Sequence, residues 1–116
     1  MPTSMEINRR FRERLGQGSA VLMPGAGNAL AARIIEDLDF EAVYLSGAGL
    51  TNSHFGLPDL GFVGLTDLVN FTSALRDSVA LPLVVDIDTG FGNAVNVYQT
   101  TRSLERAGAS ASTNAR

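Results

Sequence analysis

The sequence contains no cysteine, no tryptophan, no lysine and a single histidine, His54. Without cysteine there are no disulfides, thiolate metal ligands or cysteine nucleophiles. Without lysine, Schiff-base and lysine-base chemistry are excluded. One histidine is too few for a multi-histidine zinc centre or a two-histidine iron centre. Positive charge is scarce as well: the nine basic residues are all arginine, against twelve Asp and Glu, for a formal charge of −3. That balance, with no basic stripe, argues against nucleic acid as a partner. No apolar run approaches the roughly 18–20 residues of a membrane-spanning helix. Residues 1–15 carry Arg9, Arg10, Arg12 and Arg14 but no apolar signal core, so a secretory leader is not expected. They read as a solvated helix face or as an organelle transit segment; Glu6 and Glu13 favour the former, and the expected location is cytoplasmic. The sequon at Asn70 lies inside a helical pattern and carries no weight without an export signal.

What is present is enough for one core. The 116 residues are 45% hydrophobic and 18% charged, within the range of a single globular domain. Short apolar runs at Ala20–Met23, Ala42–Leu45 and Leu83–Ile87 read as buried parallel strands. Between them, Leu30, Ile34, Ile35 and Leu38 fit one helix face, and Leu68, Thr72, Leu75 and Val79 fit another. Ala94, Val97, Tyr98, Thr101 and Leu104 form a third, entered from Asn93 and closed by Gly108. A leading helix places Ile7, Phe11 and Leu15 at i, i+4 and i+8. The alternation predicts an α/β fold with a parallel sheet and right-handed crossovers. The connection from Leu50 to Leu65 reads as a long loop, and such loops tend to be functional. After Gly108 a fourth strand is due, yet residues 109–116 hold no aliphatic side chain larger than alanine.

The sharpest chemical feature is Val85-Asp86-Ile87-Asp88-Thr89-Gly90-Phe91-Gly92-Asn93. Strand period two puts Asp86 and Asp88 on one face, at the end where ligands bind in parallel α/β folds. Two adjacent carboxylates call for a cation or a shared proton, and with no lysine or histidine nearby a hard divalent ion such as Mg2+ is the natural partner. The alternative is a pair of strand-end carboxylates that cap the next helix or pair with arginine. Tyr44-Leu45-Ser46-Gly47-Ala48-Gly49 ends the second strand, with Tyr44 and Ser46 on one face. It is either an anion pocket, built from the Ser46 hydroxyl and the Gly47 and Ala48 amides, or an ordinary glycine-rich turn. Pro24-Gly25-Ala26-Gly27-Asn28 fails as a dinucleotide fingerprint: Leu30 replaces the third glycine and Ser46 the acidic ribose partner. His54 reads as a loop surface residue or a substrate contact. Asp59, after Pro58, is a turn residue or the third member of a carboxylate cluster.

The segments at Tyr44–Gly49 and Val85–Asn93, with Gly56-Leu57-Pro58-Asp59-Leu60-Gly61 between them, follow in the order and spacing of the isocitrate lyase/phosphoenolpyruvate mutase superfamily. The chain resembles its shorter members, of the methylisocitrate lyase, dimethylmalate lyase and oxaloacetate decarboxylase type, over roughly residues 11–109. The resemblance implies the N-terminal part of a (β/α)8 TIM barrel, about three strands with their helices. It implies Mg2+ held through Asp86 and Asp88, directly or through water, with Asp59 in the outer shell. It implies small 2-oxo or 2-hydroxy carboxylic acids as substrates, their carboxylate received by Ser46, Gly47 and Ala48, with Asp86 beside it and Tyr44 lining the pocket. Asp59 and Tyr44 are then the catalytic candidates. The implied reaction is C–C cleavage through an enolate, a methylisocitrate lyase-like activity; P–C chemistry of the phosphonomutase kind is the alternative.

The family's Lys-Cys-Gly-His-like loop after the fourth strand has no counterpart in a chain without lysine or cysteine. A complete barrel needs about 200–250 residues. The expectation is therefore a truncated barrel domain over residues 1–109 with an unrelated tail at 110–116, marginally stable and inactive alone. A non-catalytic half-barrel that assembles with a second copy through exposed sheet edges is the rival reading.

Overall fold

The computed structural model of the chain describes residues 1–113. Thr3 starts α1 (Ser4–Leu15) with a reciprocal cap: its hydroxyl accepts from the Glu6 amide, and the Glu6 carboxylate accepts from the Thr3 amide. Ile7 and Phe11 are buried as their spacing requires, whereas Leu15 is exposed. Arg14 ties the end of α1 to the body through Glu41 at 2.9 Å and the Ser19 and Ala20 carbonyls.

The remaining elements are β1 (Gly25–Ala26), α2 (Ala29–Asp37), β2 (Val43–Leu45), α3 (Gly47–Phe55), α4 (Leu65–Ser78), β3 (Leu83–Asp86), α5 (Ala94–Ala107) and β4 (Ala111–Thr113). All strands are parallel and lie in the sheet in chain order, β1-β2-β3-β4. Successive parallel strands, each joined to the next through a helical connection, make the wall of a (β/α)8 barrel, and the chain supplies its N-terminal part.

The register separates two faces. Val43 stands opposite Leu83 and Leu45 opposite Val85; these four are buried against Ile35, Leu68 and Leu75 of the helices. On the other face Tyr44 stands opposite Val84 and Val84 opposite Ala111, where Phe11 of α1 packs with Ala42 and Val84. One row further along, Asp86 stands opposite Thr113. Alternation along β3 thus sends Val85 into the helical core and Asp86 to the inner face.

Four findings differ from the sequence reading. First, the first strand lies at Gly25–Ala26, not Ala20–Met23. Pro24 has no amide to give a ladder, and its carbonyl accepts from Tyr44 N at 2.9 Å just ahead of the paired residues. Val21 and Met23 instead pack beside Phe11. Second, the stretch expected as a loop from Leu50 begins inside α3. Third, three of the four residues expected to form the α2 face, Leu30, Ile34 and the capping Leu38, are exposed; Ile35 is buried as expected, and Ala32 is buried beside it. On α5 Leu104 is buried as expected, but Tyr98 and Thr101 are exposed and Thr100 is buried in their place. The helices α2 and α5 thus approach the core partly through small side chains.

The fourth difference corrects the expected strand count and the break at residue 110. The sheet has four strands, because Ala111–Thr113 pairs with β3. Backbone and hydroxyl groups form that edge: Ser110 N donates to Leu83 O, Leu83 N donates to Ser110 Oγ, and Ile87 N donates to Thr113 O. The strand is held by main-chain and hydroxyl bonds rather than by buried aliphatic side chains, so its alanine and serine content concealed it. The rest of the expected tail, 114–116, lies outside the described residues.

The caps of α5 agree with the reading. Asn93 Oδ1 accepts from Val95 N and Asn96 N at 3.0 and 3.2 Å, and Gly108 closes the helix in the left-handed region at φ 112°. Asn93→Ala is expected to cost about 1 kcal/mol in a urea melt, the ordinary value of a side-chain cap.

Candidate active site

β2 and β3 end side by side, and the turn leaving each strand shapes the site. After β2, Ser46 caps α3, its hydroxyl accepting from Gly49 N at 3.3 Å. Gly47 and Ala48 are the first two residues of α3, so their amides have no partner in the helix's own ladder and are free for an anion. Thr51, buried at 2% exposure, donates to Gly47 O at 2.7 Å and steadies that first turn.

After β3 the chain makes a tight turn. Asp86 Oδ1 accepts from Asp88 N at 2.9 Å, and Gly90 N donates to Ile87 O at 2.8 Å. Asp88 takes φ 54°, a left-handed value that aspartate tolerates better than most residues; Phe91, at φ 63°, does so with a bulky side chain. A left-handed Phe91 is a local strain that the surrounding packing must hold. Gly90 and Gly92, at φ 94° and 143°, complete the run.

Between these two ends lies a cavity of about 110 Å3 whose lining includes Gly47, Ala48, Asp59, Asp86, Asp88 and Phe91. The structure therefore brings together the carboxylates of two separate sequence segments with the start of α3. Val63, Leu68 and Phe91 give it an apolar side, a contribution the sequence reading did not assign. A larger hollow, about 610 Å3, lies between α1, α5 and β4. Its walls carry Arg9, Arg12 and Glu105 rather than convergent carboxylates, and it marks the flank of the sheet edge rather than a centre of chemistry.

Two expected site residues stand apart. Tyr44 lies on the inner face one row below Asp86, its hydroxyl hydrogen bonded with Thr113 Oγ1 at 3.1 Å, and it does not line the cavity. Ser46 contributes its oxygen to the cap rather than to the lining. His54, the other residue weighed as a substrate contact, is exposed, edge-on to Phe55, and outside the cavity.

The two alternative uses of Asp86 and Asp88 are not seen among the described residues. The ion pair there joins Arg14 to Glu41, and α5 is capped by Asn93. No three His, Cys, Asp or Glu side chains among the described residues gather closely enough to cage a metal. Asp59 thus shares the cavity without joining a three-carboxylate cage. The donor set that remains is all oxygen, uncompensated by cationic side chains in the lining and open to water. A Mg2+ ion, bound through one or two carboxylates and keeping several waters, fits such a set.

A parallel β/α sheet with an acidic cavity beyond its strand ends has the arrangement of a (β/α)8 barrel wall, the fold class in which active sites lie at the C-terminal face of the strands. The family model described as phosphoenolpyruvate phosphomutase matches residues 11–113, and the chain belongs to the phosphoenolpyruvate mutase/isocitrate lyase superfamily. It is 48% identical over 101 residues to 2-methylisocitrate lyase from Aeropyrum pernix, covering 87% of this chain and 32% of that protein. A crystal structure of 2,3-dimethylmalate lyase superposes with TM-score 0.84 at 32% identity, covering 97% of this chain and 39% of that one. Phosphonopyruvate hydrolase in complex with oxalate and Mg2+ superposes with TM-score 0.80 at 34% identity, covering 90% and 37%. The chain spans about a third of the length of the curated relatives it matches, 36% and 32% for the first two. Among the described residues no helix is long and apolar enough to cross a membrane.

Proposed function

We propose that this chain carries the metal- and carboxylate-binding side of an active site that cleaves a C–C bond in small 2-hydroxy or 2-oxo carboxylic acids. The activity is of the methylisocitrate lyase kind and proceeds through the enolate of a 2-oxo acid. The cavity that joins Asp59, Asp86 and Asp88 to the first amides of α3 carries this reading.

Asp86 and Asp88 would hold Mg2+, directly or through water. A bound Mg2+ would supply Lewis-acid polarisation of the substrate oxygen on which negative charge develops. The Gly47 and Ala48 amides receive the carboxylate, aided by the positive end of α3. Asp59, across the cavity, orients water and substrate hydroxyls as an acceptor. Val63, Leu68 and Phe91 exclude solvent from one side, which strengthens every polar contact there. Ser46 acts through the α3 cap, and Tyr44 supports the inner face from below.

The proton traffic is incomplete. Cleavage requires a group to take the hydroxyl proton and another to protonate the enolate carbon. Among the described residues, no lysine, cysteine or histidine lines the cavity. The 116-residue chain is accordingly expected to bind but not to turn over. Oxalate, a planar dianion shaped like the enolate of pyruvate, should bind in calorimetry when Mg2+ is present, and Asp88→Ala should remove that heat. No pyruvate or glyoxylate should form from 2-methylisocitrate, dimethylmalate or oxaloacetate. Release that disappears in Asp88→Ala would overturn the inactivity; failure of oxalate to bind under saturating Mg2+ would overturn the site.

P–C cleavage is the second reading, supported by the description of the matching family and by the likeness to phosphonopyruvate hydrolase. Phosphonopyruvate in place of the C–C substrates distinguishes the two. Pairing of copies through the edges at β1 and β4 is a separate proposal, read out by the mass in solution.

A further inference from the structure

Thr100 is a buried polar side chain, 1% exposed, in the middle of α5. Its hydroxyl does not bond back to its own helix, as those of Thr72 and Thr101 do. It donates instead to Gly90 O at 2.9 Å, ten residues back in the turn that carries Asp88. We propose that Thr100 is a positioning residue for the Asp86–Asp88 cation site, acting by clamping Gly90 so that the strained Asp88 turn holds one shape. This rests on the assignment of Asp86 and Asp88 as the cation-binding pair.

The backbone groups around Gly90 are committed. Its amide donates to Ile87 O, closing the turn over Asp88, and its carbonyl is held by Thr100. Upstream, Ile87 N is fixed to Thr113 O of β4, and Asp88 N to the Asp86 carboxylate. The peptide planes before and after Gly90 are thereby anchored to opposite partners. Val97, one turn before Thr100, lies against Gly90 so closely that a Cβ there would collide with it. Gly90 is buried, so its carbonyl has no ready exchange with solvent. A left-handed Asp88 and a left-handed Phe91 on either side would relax if this point were released. Among the described residues, Thr100 is the one side chain from beyond residues 86–92 with a hydrogen bond to the backbone of this turn. Its methyl group suits the apolar interior while its hydroxyl meets the Gly90 carbonyl. That explains a buried threonine where helical periodicity offers an aliphatic.

The general consequence of loosening an outer support of a metal ligand is a loss of affinity of about 10–100-fold. The test is titration calorimetry of Mn2+ or Mg2+ into the full chain, paired with amide hydrogen exchange in the absence of metal. Thr100→Val keeps shape and removes the donor. It should weaken cation affinity by about 10-fold or more and accelerate exchange of the Gly90 amide. Thr100→Ser keeps the donor and should retain affinity to within about 2-fold, even if the lost methyl lowers the melting temperature. Thr72→Val, which removes an equally buried hydroxyl from α4, serves as the control and should alter neither readout. Should Thr100→Val unfold, Thr100→Cys, with only a weak donor, takes its place. Equal affinity and equal Gly90 exchange in the valine and unmodified chains would overturn the clamp. An unmodified chain that binds neither ion would overturn the cation site itself, while the exchange data would still report whether Thr100 holds the turn.

Discussion

Asp86→Ala should abolish cation binding, lowering Mn2+ affinity by at least about 100-fold, or about 2.7 kcal/mol. Two effects contribute. The substitution removes one of the two carboxylates proposed to hold the ion, and it also removes the acceptor for Asp88 N, which shapes the turn. Asp86→Asn separates them, because its amide oxygen can still accept from Asp88 N while the charge is gone. An affinity loss for Asp86→Asn close to that of Asp86→Ala assigns the effect to charge; a loss several-fold smaller assigns part of it to the turn. Asp59→Ala, in the same cavity but outside any three-carboxylate cage, should cost less than Asp88→Ala. Unchanged affinity in both Asp86 variants is the result that contradicts the site.

The largest effect on stability is expected at Arg76. This half-buried arginine in the last turn of α4 spreads its fork over three carbonyls: Nη1 donates to Gly108 O at 3.2 Å, and Nη2 to Val79 O and Leu81 O, both at 2.7 Å. It thereby joins the end of α4, the link into β3 and the end of α5. Burial pushes the guanidinium below its usual arginine range, and nearby Glu36 opposes that shift. The group remains charged at any pH where the protein is studied, so its effect should not titrate near neutrality. Arg76→Met keeps the apolar stem against Gly108 but leaves three carbonyls to find water. With charge-assisted bonds worth about 1.5–3 kcal/mol each and partial rescue by solvent, the expected cost is about 3 kcal/mol in urea denaturation. Arg76→Lys should recover only part of this, since a point charge cannot span the three acceptors. A cost under about 0.5 kcal/mol would show that water replaces the fork fully. Cation affinity should not change in either variant.

Some of this organisation was readable from residue order alone. The face Leu68, Thr72, Leu75 and Val79 is buried as its spacing requires, and Leu68, Leu75 and Val79 share one core cluster with Val43, Leu45, Leu83 and Val85 of the sheet. Asn93 and Gly108 bound α5 because caps are local chemistry. Asp86 and Asp88 do reach one cavity, but not by continued alternation: β3 ends at Asp86, and a left-handed turn brings Asp88 round. The features that escaped the pattern were set by non-local or backbone terms. The helix α3 starts with Gly47-Ala48-Gly49 and has almost no amphipathic stripe, so a capping serine and its place after β2 decide it. Strand β4 depends on main-chain pairing that its side chains do not advertise. Of the expected face Leu30, Ile34, Ile35 and Leu38, Ile35 alone is buried, and Ala32 takes the place of the other three. The role of Thr100 has no signature, since its partner Gly90 is specified only once the turn exists.

The position of α1 gives the molecule a direction. Phe11 enters the inner face beside Ala42 and Val84, on the side of the sheet away from the strand tips. That helix sits like a stopper at the end of the inner face opposite the carboxylates. Damage to the stopper should then be felt by heat tolerance well before it is felt by ligand traffic.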